Sequence, residues 1–208
     1  MRPRIAGLAL LLAMAAVSLP AQEKPDALEL YRIARYEDAI KVCLQELQET
    51  PNNVESHVVL GWSYLRLKDY PKALDIGLKA VRISSNDARI VQIIGEAYVF
   101  MGKLEDALRY LEEYVALRPN GDRIARVYWL MGECFVTLKE YQNADIAIST
   151  ALYYEQNNAE WWARLGYARE RAEELKWASD AYARSLKLDP NLEDAARGKE
   201  RVDKKLRG

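Results

Sequence analysis

One period dominates the chain and limits what it can fold into. Small residues stand at Ala27, Gly61, Gly95, Gly132 and Gly166, and an alanine follows each of them twelve places on, at Ala39, Ala73, Ala107, Ala144 and Ala178. Twenty-four places after the same small residues come Pro51, Ser85, Pro119, Gln156 and Pro190, residues that stop helices. The interval is 34 residues with one of 37, between Gly95 and Gly132. A unit this short cannot bury an apolar face alone, so each copy must stack on its neighbours and the chain must form an array.

Within a unit the pattern is helical. His57, Leu60, Gly61 and Tyr64 recur at i, i+3, i+4 and i+7. A turn over Leu67–Pro71 follows, and Ala73, Leu74 and Gly77 open a second apolar stripe. Pro71 suits the first turn of a helix, where a missing N–H costs nothing. Abundant Tyr (13) and Trp (5) against few Gly (10) and Pro (7) also favour helices joined by short turns. Each unit therefore reads as a helical hairpin.

The pairs Gly61 with Tyr64, Gly95 with Tyr98 and Gly132 with Phe135, and the Trp162, Leu165, Gly166 opening of the fifth unit, resemble the tetratricopeptide repeat over residues 24–191. The resemblance implies an all-α, right-handed superhelical solenoid of about five hairpins plus a C-terminal capping helix. The expected units are 22–53, 54–87, 88–124, 125–158 and 159–191, with the cap over 192–208. Three extra residues around Asn120–Asp122 are expected to lengthen the following helix, with Asp122 as its N-cap. The small residues should lie where the two helices of a hairpin touch most closely. Leu30 replaces the aromatic in the first unit, whose first helix is expected to be short, from about Pro25 to Ile33. Arg169 and Leu175 replace aromatics in the fifth, predicting looser packing there.

Residues 1–21 read as a cleavable leader: Arg2 and Arg4, an apolar run from Ile5 to Val17, then a small residue for cleavage after Ala21. The run is shorter than the ~20 residues a membrane-spanning helix needs, so a periplasmic or secreted protein without integral membrane insertion is expected, a retained anchor being the alternative. Cys43 and Cys134 fall three units apart, roughly 20 to 30 Å at ~10 Å per helix layer, too far for a disulfide, and read as small buried apolar residues. A net charge of −1 gives no source of attraction for nucleic acid.

No residue pattern here asks for catalysis, a metal or a cofactor, and none is expected. His57 lies on an apolar stripe and reads as a core histidine. The adjacent pairs Glu112–Glu113 and Glu173–Glu174 point about 100° apart on a helix and read as solvated faces.

The resemblance implies that first helices line a concave groove where partners lie. Its expected lining is Val58, Trp62, Leu65 and Arg66 in the second unit and Gln92, Glu96, Val99 and Phe100 in the third. Trp129, Glu133, Val136 and Thr137 follow in the fourth, and Ala163, Tyr167, Glu170 and Arg171 in the fifth. Two arrangements are open: rings facing the groove, or rings packed on the next hairpin. The asparagines and lysines with which chaperone-tail binders of this family clamp a carboxylate are absent from the inner places, held by Trp62, Glu96, Glu133 and Tyr167. The expectation is a non-catalytic periplasmic adaptor holding a protein or peptide segment, possible roles in self-association or ligand handling being the alternatives.

Overall fold

The computed structural model describes residues 26–208, and the expected leader, with the first residues of the opening unit, lies outside them. Eleven helices and no strands make up the described residues. Five hairpins follow one another: α1 (Ala27–Arg32) with α2 (Tyr36–Glu49), α3 (Val54–Arg66) with α4 (Tyr70–Ala80), α5 (Ala88–Phe100) with α6 (Leu104–Leu117), α7 (Ile124–Leu138) with α8 (Tyr141–Tyr154), and α9 (Ala159–Arg171) with α10 (Leu175–Leu188). A last helix, α11 (Glu193–Arg207), closes the stack.

The turn inside each hairpin has one geometry. Ala34, Lys68, Gly102, Lys139 and Glu173 all take positive φ, between 61° and 73°. The residue after each donates its N–H five places back, Asp69 to the Tyr64 carbonyl and Glu140 to that of Phe135, at 2.9 and 2.8 Å. This left-handed closure ends the first helix and points the chain into the second. At the other end, the side chains of Asn53, Asp87 and Asn158 accept from the N–H groups of Ser56, Arg89 and Trp161. The helix α7 departs from the expected capping. Arg123, not Asp122, holds its N-cap position and makes no side-chain cap, because the inserted residues close their own turn through Gly121 N–H to Arg118 and Ile124 N–H to Gly121. The helix runs 15 residues against 13 in α3, α5 and α9.

Packing explains the periodic marks. The alanines Ala39, Ala73, Ala107, Ala144 and Ala178 are all fully buried. A Cβ on Gly95 would meet Leu111, one on Gly132 Ile148 and one on Gly166 Tyr182, each on the partner helix of the same hairpin. The second hairpin differs. Gly77 stands sixteen places after Gly61, where Leu111 and Ile148 stand after their glycines. With no side chain from α4, Gly61 and Gly77 are approached instead by Ile93 and Ile94 of the next hairpin.

Arg169, whose replacement of an aromatic had suggested looser packing of the fifth hairpin, is turned toward the fourth. Its guanidinium bonds the Asp145 carboxylate at 2.9 to 3.1 Å and the Ser149 hydroxyl at 3.2 Å, tying α9 to α8. Cys43 and Cys134 are buried and free, and burial pushes both thiols up to about 12. Among the described residues no helix is long and apolar enough to cross a membrane.

Candidate partner-binding surface

First helices touch their successors, α1 with α3, α3 with α5, α5 with α7 and α9 with α11, whereas second helices bridge to the next first helix. The stack therefore curls with its first helices on the inside. Four two-point forks join an arginine on one first helix to a glutamate on the preceding one: Arg89 bonds Glu55 at 2.8 and 2.7 Å, and three more follow along the stack. Arg126 bonds Glu96 at 3.0 and 2.8 Å, Arg164 bonds Glu133 at 2.6 and 3.0 Å, and Arg201 bonds Glu170 at 3.0 and 2.8 Å. Glu96 and Glu170 are buried. Burial pushes Glu170 up, but bonds from Arg201 and the Tyr182 hydroxyl outweigh it and hold the carboxyl below its usual range. Burial, with that same bond, raises Tyr182.

The expected groove residues divide by position. Val58 faces inward, fully buried in the cluster with Ala73, Ile90 and Ile94, so it presents nothing to a partner. Gln92 and Glu96 are also buried, because side chains from α3 and α7 meet above α5. There the Arg123 guanidinium lies 4.8 Å from the Trp62 ring centroid, Trp62 lies 5.7 Å from Tyr31, and Arg126 reaches down to Glu96. Leu65 and Val99 are half-buried against neighbouring cores. Arg66, Phe100 and Arg171 sit in equivalent seams, on the tyrosine that opens the preceding second helix. Arg66 bonds the Tyr36 hydroxyl at 3.1 Å, Phe100 stacks on Tyr70 at 4.8 Å, and Arg171 bonds the Tyr141 hydroxyl at 3.4 Å. Thr137 turns its hydroxyl to the Glu133 carbonyl, while Val136, Ala163 and Glu170 are buried and present little to a partner.

Trp129, Glu133 and Tyr167 come together. With Arg164, Leu192, Arg197 and Arg201 they line a cavity of about 590 Å³ between α7, α9 and the start of α11. Trp129 stacks nearly parallel on Trp161 at 5.0 Å, and the Arg164 guanidinium lies 5.2 Å from the Tyr167 centroid, so both rings are held. The contribution of the last helix was missed by reading it only as a cap. The one signal for it is the spacing of Glu170 and Arg201, 31 residues, as for Glu133 and Arg164. The cavity thus offers aromatic rings beside guanidiniums that are already paired with carboxylates. His57, the single histidine, meets the Pro51 carbonyl through Nε2 at 2.9 Å.

The fold is similar to that of MamA (residue 41 to its end) from Desulfovibrio magneticus RS-1, with a TM-score of 0.70 at 20% identity over 80% of this chain and 92% of that one. It is also similar to YrrB, described as a TPR protein with an unusual peptide-binding site, with a TM-score of 0.71 at 18% identity over 84% and 88%. Among curated proteins, the Hsp70-Hsp90 organizing protein of Triticum aestivum is 25% identical over 143 residues, 69% of this chain and 24% of that protein. Tetratricopeptide repeat protein 21A of Mus musculus is 29% identical over 110 residues, 53% of this chain and 8% of that protein. The chain thus spans a quarter or less of these relatives' length. The model of the tetratricopeptide repeat matches residues 25–88 and 94–152, more than half of the sequence, and the chain belongs to that family.

Proposed function

We propose that the protein is a non-catalytic adaptor that holds an extended segment of a partner protein along its first helices, anchored in the cavity between α7, α9 and α11. The cavity carries this reading. Its volume, about 590 Å³, lies in the range of ligand sites and accommodates one or two large side chains. Two of its arginines, Arg164 and Arg201, are fixed by Glu133 and Glu170 through Nε and Nη2. That leaves the Nη1 edges free to donate to a peptide backbone without either charge being left unpaired. The peptide-binding site named for YrrB is in keeping with this use of the fold.

The residues before the described fold support a place for this activity outside the cytosol, in the periplasm, with cleavage after Ala21. Cell fractionation with N-terminal sequencing tests that, the expected mature end being Gln22. The groove itself is tested by crosslinking and capture from intact envelope, comparing wild type with a Trp129→Ala, Tyr167→Ala variant of equal helical content. A partner captured by wild type and lost in the variant is expected. An unchanged set of captured proteins would remove the cavity from the account.

A second reading rests on the outer face of α8. Asp145 is the only charged residue of that helix and it is taken by Arg169. Ile146 (68% exposed), Tyr153 (75%) and Trp177 of α10 (60%) are the most exposed large apolar side chains among the described residues. A charge-free face with exposed rings suits contact with a second copy. Sedimentation that stays monomeric at high concentration, for wild type as for Ile146→Glu, would exclude it.

A further inference from the structure

The half of the inner face away from the cavity has a different chemistry. Three guanidiniums gather there, Arg66 from the end of α3 and Arg123 and Arg126 from the start of α7. Arg66 lies within electrostatic reach of Arg126, and Tyr31 within reach of both. Arg126 alone is paired with a carboxylate, the buried Glu96. Arg66 is satisfied only by the neutral Tyr36 hydroxyl and ring, and Arg123 rests on the face of Trp62. Neither has a carboxylate partner among the described residues. Two positive charges in excess thus stand together on a chain whose net charge is −1.

These side chains are also held in place. Arg66 lies over the Tyr36 ring at 5.6 Å and Arg123 over Trp62 at 4.8 Å, and Trp62 is itself braced by Tyr31 at 5.7 Å, so both guanidiniums are anchored on rings. A planar donor fork held this way matches a carboxylate, which accepts two parallel bonds. Neither arginine occupies the inner places at which the chaperone-tail clamp would stand, Trp62, Glu96, Glu133 and Tyr167.

We infer that Arg66 and Arg123, flanked by Arg126, form a second subsite that takes a carboxylate of the same partner segment, so that the partner is an acidic peptide. The inference rests on the groove reading proposed above. With neighbouring first helices ~10 Å apart, the arginine cluster over α5 lies about two spacings, or ~20 Å, from the cavity centred on α9. An extended chain covers that with roughly six residues at ~3.3 Å each. The partner segment therefore carries acidic residues about six positions from an apolar or aromatic anchor.

The test is fluorescence anisotropy with a fluorescein-labelled peptide bearing two glutamates at one end and a leucine–phenylalanine pair roughly six residues on, in both chain directions. A matched peptide carries glutamines instead. The glutamate peptide is expected to bind wild type about tenfold more tightly than the glutamine peptide. An Arg66→Gln, Arg123→Gln variant should lose that advantage while binding the glutamine peptide as wild type does. A Lys176→Gln, Lys187→Gln control, of the same charge change on α10, should keep it. The arginine variant breaks none of the glutamate forks, and an unchanged melting curve verifies its fold. Equal binding of the two peptides, lost together in Trp129→Ala, Tyr167→Ala, would overturn the carboxylate subsite and leave the cavity standing. An equal loss of the advantage in the lysine control would overturn it as well, by reducing the effect to net charge. Absence of binding by every peptide at millimolar concentration would overturn both readings.

Discussion

At the scale of the residue, glycine is needed for two opposite reasons. Gly102 is the only glycine among the five turn residues of positive φ, the others being Ala34, Lys68, Lys139 and Glu173. A Cβ on Gly102 would touch nothing within 4 Å, so its requirement is conformational alone. Gly102→Ala is expected to cost about 1 kcal/mol, and Lys139→Gly to add about 0.5 kcal/mol by relieving the same strain, both read as shifts of the urea midpoint at constant slope. Gly166 is the reverse case, in ordinary helical backbone with no room. A Cβ there would stand 2.7 Å from the Tyr182 ring. The ring cannot give way, because its hydroxyl is bonded to Glu170 at 2.9 Å and α11 approaches it at Gly198. Gly166→Ala is expected to lose about 2 kcal/mol or more, and a stability equal to wild type would show that the hairpin can open by the width of a methyl group.

At the scale of the element, the glutamate–arginine forks decide how one hairpin sits on the next, and they carry a pH signature. Glu170 is held below its usual value of 4.5 by Arg201 and Tyr182. A carboxyl depressed by folding contributes stability that is present in full above the unfolded value and lost as pH falls through the folded one. Wild type should therefore exceed Glu170→Gln in melting temperature at neutral pH, and the gap should close as pH falls below 4.5. A gap independent of pH would mean that Glu170 acts by shape and hydrogen bonding alone. These forks also show what was legible in the sequence. The hairpins were, because the small residue, the alanine and the helix stop answer to steric needs within one repeat and recur at fixed places. The inner face was not. Glu96 and Glu133 share one repeat position, but Glu170 stands one turn later than its counterpart Tyr167, so position-by-position comparison passes over the fork of Glu170. Gln92 and Glu96 were expected to face a partner, and are covered because Trp62 meets Arg123, a contact 61 residues apart that includes a residue next to the insertion. No local pattern encodes such a contact. Trp129 and Tyr167 line one cavity, because the same rotation of helix face holds for both.

At the scale of the whole molecule, a stack in which each hairpin packs mainly on its neighbours should lose stability from its ends inward. The C-terminal end is closed by α11, which lays Ala195 and Val202 against Ala178 and Tyr182 and sends Arg201 to Glu170. A chain ending at Asn191 would uncover this cluster and take from Glu170 the Arg201 guanidinium and the nearby Lys205 charge, leaving a carboxylate against apolar surface. The loss should be local. Hydrogen exchange of the truncated chain is expected to show α9 and α10 opening at least ~10-fold faster while α3 to α6 keep their protection, since α11 packs on α9 and α10. The same truncation removes Leu192, Arg197 and Arg201 from the cavity but leaves Arg66, Arg123 and Arg126 in place. Protection lost evenly along the chain would instead mark a single cooperative unit, in which the two halves of the inner face cannot be separated by trimming an end. Exchange confined to α9 and α10 would make the shortened protein a tool for measuring what the arginine cluster binds when the cavity is gone.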